Sequence, residues 1–316
     1  MSQVSGQGTI WNLPNYAGEL ITADAEATPF FTMMGGLTGG GMQTQNFEFP
    51  TASQYDYPSA AQPDIDETDS LTAPTATEFV RTQEKNVTQI FQEAINLSYV
   101  KQSNPARLSG INTQGAVNNV QDELDFQVAT MLKKIARDIE YTFLNGSYQI
   151  STAANVSNLS RGMFTLLSGT ATEVDASSAT LSKALIQSML KAMADAGARF
   201  ENMVLLVSAF DKQNISDIYG FEPTSRNVGG LDIQQIVTDF ANVGVVWDRF
   251  IPAGKVLLAD MNYVAPVFQP VPGKGNFFEE PLSKAGASED LQIFGQIGLD
   301  HGPSFVHGSI INLATS

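Results

Sequence analysis

The longest regular pattern of hydrophobic positions runs from residue 115 to residue 146. Apolar side chains recur there at spacings of three and four, as they do along one face of an α-helix. Acidic residues lie toward its start and basic residues toward its end, which suits the helix dipole. The pattern predicts one long helix, about 48 Å in length, with its other face exposed. Its apolar positions are Val117, Val120, Leu124, Val128, Met131, Ile135, Ile139 and Phe143.

Two segments of alternating pattern precede this helix. Residues 43–50 alternate around Phe47 and Phe49, and residues 87–100 place Phe91 and Ile95 on one parity, so each segment predicts a strand. The residues between them are rich in Pro, Ser, Ala and Asp. A structureless connection of that length is uncommon inside a compact domain. We therefore predict a long hairpin that projects from the body.

The second half of the chain predicts an α/β lobe. Residues 203–207, 243–247 and 256–259 are short, continuously apolar runs, which are typical of strands covered on both faces. An amphipathic helix that ends at Gly197 precedes the first run, and a second helix is predicted at about residues 208–219. The loop that follows is rich in Gly and Pro.

The chain ends on two further alternating segments. Leu291, Ile293, Ile297 and Leu299 share one parity, and a shorter strand is predicted around Ile311. Residues 300–303 between them are Asp-His-Gly-Pro, and Asp, Gly and Pro are residue types that favour a turn. We expect the two strands to form a closing β-hairpin.

Composition and charge exclude several classes of protein. The chain has no cysteine, so it has no disulfide and no thiolate nucleophile. It carries 33 acidic and 17 basic side chains, and residues 1–80 hold ten of the acidic ones and no basic one. Such a segment repels nucleic acid and attracts basic protein surfaces. Neither a basic signal-peptide region nor an apolar run of about 20 residues is present, so we expect a protein made in the cytosol without a membrane segment.

Candidate chemistry is sparse. His301 and His307 are the only histidines, and we expect a turn residue and a half-buried strand residue rather than metal ligands. Nucleophile-elbow, phosphate-loop and dinucleotide-binding motifs are missing. We therefore expect no catalytic, cofactor or metal site.

The predicted hairpin carries an acidic cluster that lacks the glycine and the distal glutamate of a calcium loop. It consists of Asp64, Asp66, Glu67 and Asp69. The predicted long helix carries Lys133, Lys134 and Arg137. Charge complementarity between the acidic loop of one copy and this helix of a neighbour would set the register of assembly.

Five short motifs lie in order along the chain. They are Thr28-Pro29-Phe30, the set Asn86, Gln89, Ile90 and Phe91, the set Arg137, Asp138 and Glu140, the stretch from Thr238-Asp239-Phe240 to Gly244, and Lys284 with Gly286. In this order and spacing the chain resembles the tailed-bacteriophage major capsid proteins of the Hong Kong 97 fold. The resemblance covers about residues 28–313.

The resemblance implies an α+β fold with a fixed succession of parts. It implies an N-terminal arm, an extended-loop hairpin, a peripheral domain that holds the long spine helix, an axial α/β domain, and a return to the peripheral domain with a C-terminal β-hairpin. The corresponding ranges are 1–42, 43–102, 103–178 with the helix at 115–146, 179–262, and 263–316. Arg226 lies in the candidate axial loop, residues 219–230, and is a further predicted interface residue.

The implied function is that of a subunit that self-assembles into the hexamers and pentamers of an icosahedral head. The expected partners are further copies of itself, a portal, scaffolding or decoration proteins, and packaged double-stranded DNA touched only non-specifically; no membrane and no cofactor are expected. The expected location is the virion, after assembly in the host cytoplasm. Residues 43–80 contain no lysine, so the lysine cross-link of some relatives is not expected, and the early arm motif leaves no room for a cleaved scaffolding segment.

Three other interpretations remain open at this stage. One is an encapsulin-like nanocompartment shell, which has the same fold and encloses an enzyme. Another is a tail or decoration protein of a virion, although a long amphipathic helix argues against an all-β module. The third is an enzyme with an unrecognised carboxylate site, since acidic residues alone never exclude one.

Overall fold

Two large β-sheets, with a long helix between them, dominate the α+β fold of the chain. A computed structural model describes residues 27–37, 40–55, 60–76, 78–102, 123–219, 225–228, 231–283 and 286–315. The helices are α1 (Pro29–Met33), α2 (Glu67–Ser70), α3 (Tyr99–Gln102), α4 (Glu123–Asn145), α5 (Met163–Leu167), α6 (Lys183–Asp195) and α7 (Ala209–Tyr219). The first strands are β1 (Met42–Gln43), β2 (Glu48–Tyr55), β3 (Arg81–Val87), β4 (Gln89–Ser98), β5 (Glu173–Asp175), β6 (Met203–Val207) and β7 (Ser225–Val228). The others are β8 (Leu231–Val237), β9 (Asn242–Trp247), β10 (Val256–Asp260), β11 (Ala265–Phe268), β12 (Phe277–Pro281), β13 (Ser288–Asp300) and β14 (Gly308–Ile311).

A seven-stranded sheet has the order β5-β14-β10-β6-β9-β8-β7. Its central strand β6 is buried at every residue, and the two faces of β6 enter different cores. Val204 and Leu206 pack in the core that contains α4, whereas Leu205 and Val207 pack in the core that contains α6. The prediction that this apolar run is a strand covered on both faces is confirmed.

The five-stranded sheet is organised by the 13-residue strand β13. One side of β13 pairs with β4, and the other side pairs with β12 and then with β11, which in turn pairs with β1. The predicted parity is confirmed, because Leu291, Ile293, Ile297 and Leu299 are all buried and belong to the core that contains α4.

The spine helix α4 ends at Asn145, as the stop signal predicts. Its described part has 23 residues, which corresponds to about 34 Å. Ile135, Ile139 and Phe143 form its fully buried face, and they share one core with apolar residues of both sheets. The predicted first turns of this helix fall within residues 103–122, outside the described residues. The helices predicted to flank the first apolar run are confirmed as α6 and α7.

The projecting hairpin contains more strand than its sequence pattern indicates. Strands β2 and β3 pair from Glu48 and Val87 at the base to Tyr55 and Arg81, so part of the stretch expected to lack structure is a ladder. Beyond that ladder, described residues 60–76 and 78–80 are exposed, and one turn of helix, α2, is their only regular element. We call these residues the tip.

The predicted C-terminal β-hairpin is wrong. Strand β14 does not pair with β13; it lies between β10 and β5 in the seven-stranded sheet. Gly308, Ser309 and Ile310 are buried, which suits the interior of a sheet covered on both faces better than an exposed hairpin. Both β5 and β14 therefore lie outside the sheet that contains β13. The division into arm, extended loop, peripheral and axial domains remains a prediction.

Gly298 of β13 lies directly against the base of the hairpin. A Cβ atom added there would lie 2.6 Å from the carbonyl oxygen of Val87 and 2.9 Å from the ring of Phe49. We expect Gly298→Ala to lower the free energy of unfolding by about 1–3 kcal/mol, because backbone must move to admit the methyl group.

Denaturant unfolding measures this loss, and Gly286→Ala is the matched control. A Cβ atom at Gly286 has no neighbour within 4 Å, so the control should change stability by less than about 0.5 kcal/mol. Equal stabilities for the two variants would show that the hairpin base does not pack on β13 as closely as described.

Candidate assembly surfaces and buried polar junctions

The predicted acidic cluster lies at the hairpin tip. Asp64, Asp66, Glu67 and Asp69 are all exposed. The carboxylate of Asp66 accepts the backbone N–H of Asp69 at 2.7 Å, which caps α2 and gives the tip a defined turn. Charged side chains are therefore presented to solvent on an ordered turn.

The same tip also exposes aliphatic side chains. Ile65 is 69% exposed, Leu71 is 84% exposed and Val80 is 68% exposed. Single exposed aliphatic residues are ordinary on a protein surface, but three on one thin projection with no core beneath them are not. The tip thus combines negative charge with apolar surface.

The basic residues of the spine helix are not equivalent. Lys133 and Lys134 are exposed and Arg137 is half-buried. The ammonium group of Lys134 pairs with the carboxylate of Glu93 on β4, so it already stabilises the contact between α4 and its own sheet. Arg226 lies on β7, the last strand of the seven-stranded sheet, and its side chain is outside the described residues. A role for these residues in assembly stays a prediction.

Asn86 fixes the base of the hairpin. Its side chain is fully buried and its amide nitrogen donates to the carbonyl oxygens of Leu299 at 2.7 Å and Arg161 at 3.2 Å. Its amide oxygen accepts the N–H groups of Arg161 at 2.8 Å and Val87 at 2.9 Å. One side chain therefore joins β3, β13 and the loop before α5, and all of its hydrogen-bonding capacity is used.

Gln89, three residues further on, continues this junction. Its side-chain oxygen accepts the backbone N–H of Ser160 at 3.2 Å, and the hydroxyl of Ser160 accepts the N–H of Leu299 at 3.3 Å. The polar positions of the Asn-x-x-Gln motif thus hold the returning strand of the hairpin against the body.

Glu140 joins the arm to the spine helix. Its fully buried carboxylate accepts the backbone N–H groups of Phe30 at 2.8 Å and Phe31 at 2.6 Å, so it caps α1 from another helix. Phe31 packs edge-on against Phe143 of α4, with ring centroids 5.9 Å apart. The first and third sequence motifs are therefore in direct contact.

A second buried carboxyl lies beside Glu140. Burial raises the pKa of Glu140 well above its ordinary value, and the neighbouring carboxyl of Asp248 raises it further. Burial also raises the pKa of Asp248. Both shifts favour a protonated pair. The sequence signal for this junction is a glutamate directly after Ile139, within the apolar face of the helix.

The fourth motif forms a local turn before β9. The hydroxyl of Thr238 accepts the N–H of Ala241 at 3.2 Å, and the carboxylate of Asp239 accepts the amide of Gln187 at 3.0 Å. Lys284 of the fifth motif lies outside the described residues. Polar residues of the second, third and fourth motifs thus have structural contacts.

Sequence and structure comparisons address the family directly. A sequence profile of the SU10 major capsid protein family matches residues 3–314, nearly the whole chain. The chain belongs to the SU10 major capsid protein family. It is a capsid shell protein of the virion, as the resemblance implies.

Solved structures confirm the Hong Kong 97-type fold of this capsid protein. A chain of the cyanophage A-1(L) capsid has a TM-score of 0.64 at 12% identity, with 96% of this chain and 97% of that chain covered. A chain of a native GTA particle capsid has a TM-score of 0.58 at 11% identity, with 99% of each chain covered. A chain of the SrpI encapsulin complex from Synechococcus elongatus has a TM-score of 0.56 at 10% identity, covering 87% and 86%. A search of curated protein sequences finds no match.

The two histidines of this capsid protein are structural. His301 and His307 are both fully buried, so the expectation of a half-buried strand residue is wrong for His307. His307 donates from Nε2 to the carbonyl oxygen of His301 at 2.7 Å and accepts the N–H of Asp260 at 3.1 Å. These bonds tie β10 to the connection between the two sheets. Burial lowers the pKa of each histidine to about 4.

Neither a metal-binding cluster nor a membrane-spanning helix occurs among the described residues. No group of three or more histidine or carboxylate side chains is arranged to hold a metal ion there. The helices described for this capsid protein are each too short or too polar to cross a membrane.

The lowered histidine pKa values predict sensitivity to acid. Between pH 6.5 and pH 4 the unfolded chain binds the proton of His301 more readily than the folded chain, so stability falls as the pH falls. A shift of this size corresponds to about 3 kcal/mol. We expect His301→Asn, whose amide can still donate to Gly302, to be less stable at neutral pH but to lose less stability on acidification.

Denaturant unfolding at a series of pH values tests this expectation. Burial raises the pKa of the adjacent Asp300 to about 6, and its contribution to stability has the opposite dependence on pH. The measurement is therefore the difference between variant and wild type. A difference that does not change between pH 6.5 and pH 4 would show that His301 does not titrate as inferred.

Proposed function

We propose that this capsid protein assembles into hexamers and pentamers that close an icosahedral phage head around double-stranded DNA. The observation that carries the proposal is the exposed hairpin tip, which is charged, partly apolar and remote from the body of its own chain. Family membership supports a shell subunit. The tip supports the view that neighbouring copies provide the missing contacts.

The hairpin requires a partner for a physical reason. A two-stranded ribbon is at best marginally stable in water unless a third strand or a helix packs against it. Here only the base of the ribbon is buried, at Phe49, Asn86 and Val87. A second copy of the chain is the partner that every shell supplies. Docking the tip on a neighbour would remove Ile65, Leu71 and Val80 from water.

The charges of the tip suit specificity better than affinity. An exposed ion pair contributes about 0–1 kcal/mol, so stable association requires many copies acting together. Lys133 and Arg137 of a neighbouring spine helix are the basic residues that we propose for this contact. Lys134 is proposed for this contact as well, where the tip would compete with its ion pair to Glu93.

The remaining proposed partners follow from the same function. A net charge of −16 disfavours tight binding to a packaged genome, so contact with DNA is proposed to be non-specific. A portal and scaffolding or decoration proteins are the other proposed partners. We further propose assembly in the host cytoplasm and a purely structural, non-enzymatic role.

An encapsulin-like shell is the second candidate. The observation in its favour is the similarity of fold to the SrpI encapsulin over 87% of the chain. The contents of purified particles separate the two functions. Nuclease-protected double-stranded DNA would support a phage head, whereas a folded protein cargo without DNA would support a nanocompartment.

Neutralising the tip should prevent assembly without unfolding the subunit. The change combines Asp64→Asn, Asp66→Asn, Glu67→Gln and Asp69→Asn, and Asn at position 66 retains the cap of α2. We expect the far-ultraviolet circular dichroism of the wild type but a loss of closed particles. Light scattering and negative-stain electron microscopy measure this loss.

The control removes four exposed negative charges elsewhere. It combines Asp125→Asn, Asp195→Asn, Asp217→Asn and Glu279→Gln. Particles from the control but not from the tip variant would attribute the defect to position rather than to net charge. Normal particles from the tip variant would contradict a docking role for the acidic cluster.

A further inference from the structure

Two buried carboxyls meet where the arm helix α1, the spine helix α4 and the segment after β9 join. Glu140 belongs to α4 and Asp248 follows β9, and their side chains are 0% and 1% exposed. Glu140 holds the N–H groups of Phe30 and Phe31. Asp248 accepts the N–H of Phe250 through Oδ1 at 2.8 Å, and no donor hydrogen-bonds to its buried Oδ2 among the described residues.

In the part of the chain that the structure describes, no cationic side chain shifts the pKa of Glu140 or Asp248. Helix α1 has no ionisable side chain, and the described side chains of β8, residues 234–237, are uncharged. On α4 the ionisable groups next to Glu140 are Arg137, Asp138 and Tyr141. Arg249 follows Asp248, but its guanidinium lies 5.8 Å from the ring centroid of the exposed Trp247.

We propose that this junction is a proton-dependent latch, in which one proton shared by Glu140 and Asp248 keeps the arm helix seated on the spine helix, and its loss releases the arm. With one proton present, one carboxyl donates to the other and the pair bears a single charge. With both groups ionised, two negative charges face each other in a buried site, which is strongly unfavourable.

The arm helix α1 is the element that moves when the ionised carboxyls of Glu140 and Asp248 repel each other. Helix α1 has five residues, whereas α4 has 23 described residues and β9 lies inside a sheet. Releasing α1 uncovers the carboxyl of Glu140 and allows water to reach it. Because the folded pKa of both groups is raised, the latch is closed at low pH and opens as the pH rises through the pKa of the pair.

An open latch also affects the contact between the two sheets. Helix α1 contacts both α4 and β8, so it bridges the spine helix and the seven-stranded sheet. Phe30 and Phe31 are fully buried in the core that those elements share. Proton loss at one pair thereby loosens the arm and the packing between the sheets together.

Hydrogen exchange of the peptide that covers residues 28–34 tests the latch in the purified full-length chain. The comparison is between wild type and Asp248→Asn, in the same assembly state. The Asn side chain keeps its bond to Phe250 and places an N–H toward Glu140, so no shared proton is needed. Intrinsic exchange is the same for both proteins at each pH, and the ratio of their rates therefore reports the latch alone.

We expect the ratio of wild-type to variant exchange rates to be near one at about pH 5 and to rise by about tenfold or more by about pH 9. A tenfold change in the opening equilibrium corresponds to a difference of one pKa unit between the closed and the open latch. In Glu140→Gln the side-chain NH2 group faces one of the two backbone N–H groups of α1. Residues 28–34 of this variant should therefore exchange faster than those of wild type at every pH. Asp138→Asn, on the same helix outside the pair, should exchange as the wild type does.

Two results would overturn the proposal. One is a ratio that stays constant with pH, because the pair would then not titrate in this range. The other is faster exchange of Asp248→Asn at every pH, because Asp248 would then serve only as a hydrogen-bond acceptor. Neither result depends on whether a shell forms or what it encloses, so the latch and the proposed function are tested separately.

Discussion

The central strands of the seven-stranded sheet are apolar on both faces, and this constraint determines the arrangement of most other elements. A strand such as β6 cannot face water on either side, so helices must cover both faces of its sheet. Helices α6 and α7 cover one face. The other face is covered by a layer built on α4, and Ile135, Ile139 and Phe143 bring that layer into contact with the five-stranded sheet as well. The spine helix is thus shared by two sheets, and neither sheet has a complete core without it.

Buried polar side chains hold the irregular segments in place around this core. Apolar packing is non-directional and would leave the arm and the base of the hairpin free to slide. Hydrogen bonds from a buried side chain are directional, and leaving them unmade is expensive. Asn86 uses this property to hold the hairpin, and Glu140 uses it to hold the arm. The two extensions that leave the body are therefore each anchored by a fully buried polar residue.

Sequence periodicity predicted the regular elements well because it reports burial. The apolar runs that became β6, β9 and β10 and the parity of β13 were confirmed on that ground. Periodicity does not report pairing partners, so the position of β14 between β10 and β5 was not predictable from residues near Ile311. The contact between Glu140 and the N–H groups of Phe30 and Phe31 joins residues about 110 positions apart. Its local signal is a carboxylate inside an apolar helix face, and such a signal does not identify a partner.

The body and the hairpin have different parts in the proposed assembly. The body is stabilised by two hydrophobic cores of its own. The described residues of the tip are all exposed, and in the proposed assembly a neighbouring copy would bury its aliphatic side chains. Negative charge beside those side chains opposes self-association of tips, because identical tips repel one another. The same charges favour a basic surface on a neighbouring copy. In the proposed assembly, apolar area would thus drive association, and charge would restrict which surface the tip meets.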